Sequence, residues 1–162
     1  MTEIKVNKDG LMERPTRFDK CVLQRAAELA LPEVKSWLGD EGFATDNEIK
    51  EDLIDCIDEK DGFAIAEALK SRRHWDCDSE LVEIMDGGFI YTALSELEKQ
   101  WVNCLNVKLD IPIGTPVTIK SRKESGVVVS YYPEYAKYGV RTPNQDKTSN
   151  WILFPEDVEV SA

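Results

Sequence analysis

Carboxylates are the side chains with the clearest capacity for chemistry in this chain, and they cluster in its first two thirds. Ten acidic residues and two lysines lie between residues 40 and 61, which gives a net charge of −8. Carboxylates three or four positions apart on a helix lie about 5 Å apart along its axis. Six of them form what we call the acidic stripe: Glu48, Glu51, Asp52, Asp55, Asp58 and Glu59.

Two interpretations of the acidic stripe are open. It is either a solvated helix face that keeps the protein dispersed, or a surface that binds a basic partner. Like charges four residues apart destabilise a helix by about 0.2–0.5 kcal/mol per pair, so folding alone does not favour this clustering. Calcium binding is not predicted, because the series that begins at Asp76 has Leu81 where the loop needs glycine and Gly87 where it needs glutamate.

The cysteines and the single histidine do not predict a metal site. A structural zinc site needs ligands paired at short spacing, whereas these thiols are scattered and His74 stands alone. Cys21, Cys56 and Cys104 lie at or near apolar helical positions, where free cysteine packs as a small buried hydrophobe. The cysteines are Cys21, Cys56, Cys77 and Cys104.

Catalysis is not predicted either. The chain contains no dinucleotide-binding glycine motif, no phosphate-binding loop, no nucleophile elbow and no H-E-x-x-H zinc motif. His74 lies in the basic segment Arg72-Arg73-His74-Trp75, which is typical of a helix C-terminus whose cations complement the helix dipole. We therefore expect a protein that is not an enzyme and that uses no cofactor.

The last third of the chain has a different charge balance. Residues 1–105 hold 24 acidic and 13 basic residues, a net charge of −11, while residues 106–162 hold seven of each. Tyr131 and Tyr132 point to opposite faces of a strand, so they cannot both be core residues. The aromatic residues here are therefore either core and packing residues or a surface site, which is a cage for methylated lysine or a platform for bases. A nucleic-acid site is the alternative to the acidic stripe, with Lys120, Arg122, Lys123, Tyr132, Lys137 and Arg141 as its residues.

The spacing of apolar residues changes near Asn106 from a helical to a strand period. Before that point the sequence predicts four to six helices, and after it five short strands, as in a small barrel. The division is a flexible arm over 1–15, an acidic helical domain over 16–106 and a barrel over 107–162. The helices are expected to begin near Thr16, Pro32, Thr45, Phe63, Asp78 and Ile90. Thr16 is the expected first N-cap, and Thr45 with Glu48 three residues on predicts a capping box.

The C-terminal third resembles an SH3-like barrel of the broad Tudor and KOW kind. The residues that carry the resemblance are the segments 113–117, 125–128, 138–141 and 151–158, which read IGTPV, SGVV, YGVR and WILFPEDV. The resemblance implies an α+β protein in which a helical domain precedes a five-stranded SH3-like barrel. The whole chain is also similar in plan to uncharacterised phage and prophage proteins.

These features predict a binding protein of the cytoplasm. No apolar run approaches the length of a membrane span, and the first 15 residues lack an apolar signal core. We expect an acidic inhibitor or adaptor that binds a basic protein surface, for example a DNA mimic of the phage anti-restriction or anti-CRISPR type. The alternative is a regulatory protein that binds RNA or DNA through its barrel.

Overall fold

The computed structural model describes residues 3–40 and 44–162. The chain is a mixed helix-and-sheet protein whose helices precede a five-stranded antiparallel sheet. It divides into two compact units, Met1–Trp101 and Val102–Ala162. We call them the helical unit and the sheet unit.

The helices follow the apolar spacing, with one correction to the predicted set. Their bounds are α1 Lys20–Leu38, α2 Asp46–Cys56, α3 Gly62–Arg73, α4 Ser79–Met85 and α5 Phe89–Leu105. The sequence predicts a second helix that begins at Pro32, which is wrong, because Pro32 lies inside α1. Its missing N–H removes one hydrogen bond, and the burial of Ala30 and Val34 on either side keeps one apolar face continuous across it.

Short side chains cap three of these helices. Thr45 begins α2 with the predicted capping box, and the carboxylates of Asp61 and Asp78 accept hydrogen bonds from backbone N–H groups in the first turns of α3 and α4. The prediction of Thr16 as the first N-cap is wrong. Asp19 holds that position, and its carboxylate accepts the Thr16 N–H at 2.8 Å.

The core of the helical unit is built from the apolar stripes of its helices. Val22, Leu53, Leu69 and Leu81 are completely buried. Full burial of side chains of this size contributes about 1.5–3 kcal/mol each. Because Ile49 and Leu53 must face this core, the polar side of α2 is turned outward.

Trp101 fixes the segment that precedes α1. It is buried, as its position on the last amphipathic helix predicts, and its Nε1 donates to the carbonyl of Met12 at 3.1 Å. The guanidinium of Arg14 lies 4.3 Å from the centre of its ring. Within the predicted flexible arm, Val6 and Met12 form an antiparallel bridge on either side of a turn at residues 8–10, while Met1 and Thr2 lie outside the described residues.

The sheet unit has the strand order β4-β3-β2-β1-β5. Strands β1 to β4 form a meander, and β5 returns to pair with β1. In the described part of the chain β4 and β5 are edge strands, so the sheet is open and the closure expected of a barrel is not shown. The bounds are β1 Pro116–Ile119, β2 Glu124–Tyr132, β3 Lys137–Arg141, β4 Trp151–Leu153 and β5 Val158–Val160.

Alternate residues of the central strands form the core of the sheet unit. Val117, Ile119, Val128 and Val140 are completely buried around Tyr138. The Tyr138 hydroxyl accepts the backbone N–H groups of residues 110 and 111 at 3.0 and 3.1 Å. Burial raises the pKa of Tyr138, so this phenol stays protonated throughout the neutral range.

Candidate functional site

Helix α2 positions the acidic stripe through its start and its buried face. Glu48 closes the capping box, because its carboxylate accepts the backbone N–H of Thr45 at 2.7 Å and the hydroxyl at 2.9 Å. These hydrogen bonds lower the pKa of Glu48. Its charge therefore serves the helix start as well as the surface.

Three members of the stripe are ion-paired with the end of α3. Arg73 lies 3.6 Å from the carboxylate of Asp52 and 3.2 Å from that of Asp55, and Arg72 lies 2.6 Å from that of Glu59. Arg72 also donates to the backbone carbonyl of Asp55 at 3.0 Å, and its hydrogen bond with Glu59 raises its pKa. We call Arg72, Arg73 and these three carboxylates the arginine clamp. The two guanidinium groups offset part of the negative charge of the stripe.

The remaining two stripe residues are Glu51 and Asp58. The carboxylates of Glu51 and Asp58 have no hydrogen bond or ion pair among residues 3–40 and 44–162. Glu51 is exposed and Asp58 is half-buried, and only the backbone carbonyl of Asp58 is bonded, to Arg17 at 2.9 Å. The structure thus places all six residues on or beside α2 but leaves them in unequal states.

A cavity of about 410 Å³ opens next to the stripe. Trp37 from α1 and Trp75 from the segment after α3 stack along it, with ring centres 6.2 Å apart and planes 12° from parallel. The indole N–H of Trp37 donates to Asp78 at 3.0 Å, and that of Trp75 donates to Asp52 at 2.8 Å. We call this the tryptophan pocket.

Apart from its residue types, nothing in the sequence indicates this pocket. Trp37 and Trp75 lie far apart in the chain. They meet because α1 packs against α2 and α4. The basic segment, too, has a role that was not predicted: its arginines pair with α2, and Trp75 donates to a stripe residue. His74 ends α3 in the left-handed conformation, with φ of 61°.

Two of the four thiols are buried, one is half-buried and one is exposed. Burial raises the pKa values of Cys21, Cys56 and Cys77, that of Cys56 to about 11, which disfavours the reactive thiolate. Cys104 is exposed, so its expected place in the core is wrong; it sits near the end of α5 on the solvent side. In the part of the chain that the structure describes, no three potential ligand side chains are grouped so as to hold a metal ion.

The predicted nucleic-acid residues are spread over the sheet unit. Arg122 lies 4.0 Å from the ring centre of Trp151 and 3.4 Å from Glu124, and its neighbours Lys120 and Lys123 are exposed. These residues follow β1, and the Arg122 guanidinium stacks on Trp151 of the edge strand β4. They form a small basic and aromatic surface.

The other three residues of that set are engaged within the sheet unit. Lys137 lies 5.5 Å from the ring of Tyr135 and 5.0 Å from that of Phe154, and Arg141 donates to the carbonyl of Ser149 at 3.1 Å. Tyr132 is half-buried. The alternative site therefore rests mainly on residues 120–123 and on Trp151, which the sequence did not assign to it.

Comparison with known proteins returns no match, whether the chain is compared with family models, with curated sequences or with solved structures. Among the described residues, no helix has the length and apolar composition needed to cross a bilayer.

Proposed function

We propose that this protein is a non-enzymatic binding protein whose helical unit binds a basic surface of a partner protein. The observation that carries the proposal is the charge of that unit, with 24 acidic and 13 basic residues. The arginine clamp compensates only part of it. In the described part of the chain, Glu51 on α2 and Asp58 just after α2 present unpaired carboxylates. Complementary charge of this kind accelerates association and makes it sensitive to salt.

A narrower form of the proposal is that the partner surface normally holds nucleic acid. A row of carboxylates at regular spacing can occupy sites built for phosphates, as DNA mimics of the anti-restriction or anti-CRISPR type do. In that case DNA or RNA competes with this protein for its partner. We propose this form as the inhibitor function, with a phage origin as its natural setting.

The experiment requires a partner captured from the source cells and then purified. Reversing Glu51 and Asp58 to lysine should slow association at least about tenfold at low salt and flatten its salt dependence. The matched control reverses Asp9 and Glu159 to lysine. Both residues are exposed, and their reversal changes the net charge by the same amount. If the two double variants bind alike, net charge alone attracts the partner and α2 is not its binding surface.

The second candidate function is nucleic-acid binding by the sheet unit. It is favoured by the Arg122–Trp151 stack at 4.0 Å, which has exposed lysines beside it. Aromatic stacking contributes about 1–3 kcal/mol per base. The finer assignment of the sheet as an SH3-like barrel belongs to this candidate and is supported by the five-stranded antiparallel order with β5 returned to β1.

Fluorescence anisotropy of labelled single-stranded RNA and DNA tests this second candidate. Lys120→Ala, Lys123→Ala and Trp151→Ala should each weaken binding severalfold. Lys147→Ala removes one exposed positive charge elsewhere on the sheet unit and is the charge-matched control for each lysine variant. Nucleic acid that joins the complex with the partner favours this candidate, and nucleic acid that displaces the partner favours the first.

A further inference from the structure

The faces of tryptophan side chains in this protein attract guanidinium groups. Arg14 lies 4.3 Å from the ring centre of Trp101, and Arg122 lies 4.0 Å from that of Trp151. Such contacts arise because the face of an indole ring carries partial negative charge, and arginine stacks on it well. Across residues 3–40 and 44–162, no guanidinium of the chain lies over Trp37 or Trp75.

The tryptophan pocket presents hydrogen-bond acceptors to a ligand but no free indole N–H donor. Both indole N–H groups are already used, by Asp78 and Asp52, and these hydrogen bonds fix the planes of the rings. What remains towards the cavity is the aromatic surface and the carboxylates. A group that fills it well must donate hydrogen bonds and carry positive charge.

The charge of the pocket is negative. Three carboxylates line it, those of Asp52, Asp76 and Asp78, and Arg73 at 3.6 Å from Asp52 is the cation paired with one of them. The Asp76 carboxylate is exposed and has no hydrogen bond or ion pair in the described part of the chain. An incoming cation therefore meets an uncompensated charge at the rim.

The remaining walls are apolar. Leu38, Ala44 and the buried Ile49 line the cavity together with the tryptophans, and its volume of about 410 Å³ lies within the range of sites for small ligands. An arginine side chain matches both kinds of wall, since its methylene stem packs on apolar surface while its planar guanidinium stacks and donates. A lysine ammonium is compact and strongly hydrated, and stacks less well.

We propose that the tryptophan pocket binds the guanidinium of an arginine side chain on the basic partner. The guanidinium packs on the aromatic surface that Trp37 and Trp75 present to the cavity and donates to the carboxylates of Asp52, Asp76 and Asp78. This inference rests on the proposed function, for which it names the anchoring contact. It assigns to the pocket the specificity of the interaction and leaves long-range attraction to the other carboxylates.

The test titrates the full chain, labelled with ¹⁵N, with three probes: Nα-acetyl-arginine amide, its lysine counterpart, and the neutral isostere Nα-acetyl-citrulline amide. The chain has four tryptophans, so four indole N–H signals can be assigned by single tryptophan-to-phenylalanine changes. The arginine probe should move the Trp37 and Trp75 signals saturably with a millimolar dissociation constant, and leave those of Trp101 and Trp151 in place. Citrulline should move none of them, and lysine should bind at least about threefold more weakly.

Asp76→Asn should weaken the arginine probe about threefold or more, whereas Asp9→Asn, an exposed change of equal charge, should not. Absence of a saturable shift at Trp37 and Trp75, equal shifts with citrulline, equal binding of lysine, or equal effects of the two asparagine variants would each overturn the proposal.

The same variants separate this proposal from the proposed function. If Glu51→Lys with Asp58→Lys impairs partner binding but Asp76→Asn does not, the partner binds the helical unit without the pocket. If none of these changes alters partner binding, the proposed function itself fails, whatever the arginine probe shows. If Asp76→Asn speeds partner dissociation, the pocket holds the anchor.

Discussion

Glu48 shows how one side chain can be assigned from local spacing alone. Thr45 and Glu48 stand three positions apart, and the two hydrogen-bond each other at the start of α2, with the Glu48 N–H donating to the Thr45 hydroxyl at 3.3 Å. The whole motif lies within four residues, so no tertiary contact is needed to predict it. Trp37 and Trp75 are the opposite case, because their stacking depends on how distant segments pack.

The capping box gives a prediction for the start of α2. Thr45→Ala should lower the free energy of unfolding by about 1 kcal/mol at neutral pH, and Thr45→Ser should restore most of it. The pKa of Glu48 is lowered in the folded state, so its contribution is present above the unfolded-state pKa and lost as pH falls through the folded-state pKa.

Urea denaturation of the wild type and the two variants, at neutral pH and again in acid, measures this effect. The difference between wild type and Thr45→Ala should shrink in acid. A penalty that is the same at both pH values would show that the hydroxyl acts without the Glu48 carboxylate.

At the scale of elements, the spacing of apolar residues predicts single helices and strands, but it does not predict the contacts between them. The apolar spacing places α2, α4 and α5, and the alternation after Asn106 places the strands. It does not reveal that Arg73 pairs with carboxylates of α2 or that Arg72 pairs with Glu59 just after it, because nothing local links these residues. It also splits α1 at Pro32, since a proline ends a helix in most sequence contexts and only the buried face across it decides otherwise.

The arginine clamp predicts that parts of the acidic stripe differ in their structural roles. Reversing Asp52, Asp55 and Glu59 to lysine puts three new cations beside Arg72 and Arg73, so this variant should unfold at clearly lower urea concentration than the wild type. Trp75 also loses its acceptor in it.

Reversing Glu51 and Asp58 to lysine should leave the midpoint of unfolding close to that of the wild type, because neither carboxylate has an internal partner in the described residues. Circular dichroism at 222 nm during urea titration compares the two variants. Equal midpoints would mean that the arginine clamp contributes nothing to the fold.

For the whole molecule, the switch of period near Asn106 is enough to predict helices first and strands second. The boundary of the compact units lies slightly earlier, between Trp101 and Val102, inside α5. A period describes one element at a time, whereas compactness depends on which side chains share a core. For the same reason the five strands were predictable, but not the open order that leaves β4 and β5 at the edges.

The two-unit organisation predicts how a fragment of residues 102–162 behaves. Its core of Tyr138 and its surrounding aliphatic residues is complete within the fragment. The fragment should therefore give a β-type circular dichroism spectrum and a cooperative thermal transition. Tyr138→Phe in the fragment should lower the transition temperature, because the backbone N–H groups of Asp110 and Ile111 lose their acceptor. Substantial helix content, or a spectrum of disordered chain, would contradict the division.

The stacked indoles of Trp37 and Trp75 also have an optical consequence. Two nearly parallel chromophores with centres 6.2 Å apart couple their electronic transitions, so together they absorb and rotate polarised light differently from two isolated indoles. The far-ultraviolet spectrum of the full chain therefore contains an exciton contribution on top of the amide signal, and helix content calculated from it is biased. Subtracting the spectrum of Trp37→Phe isolates that contribution, which reports the geometry of the two rings without any attached dye.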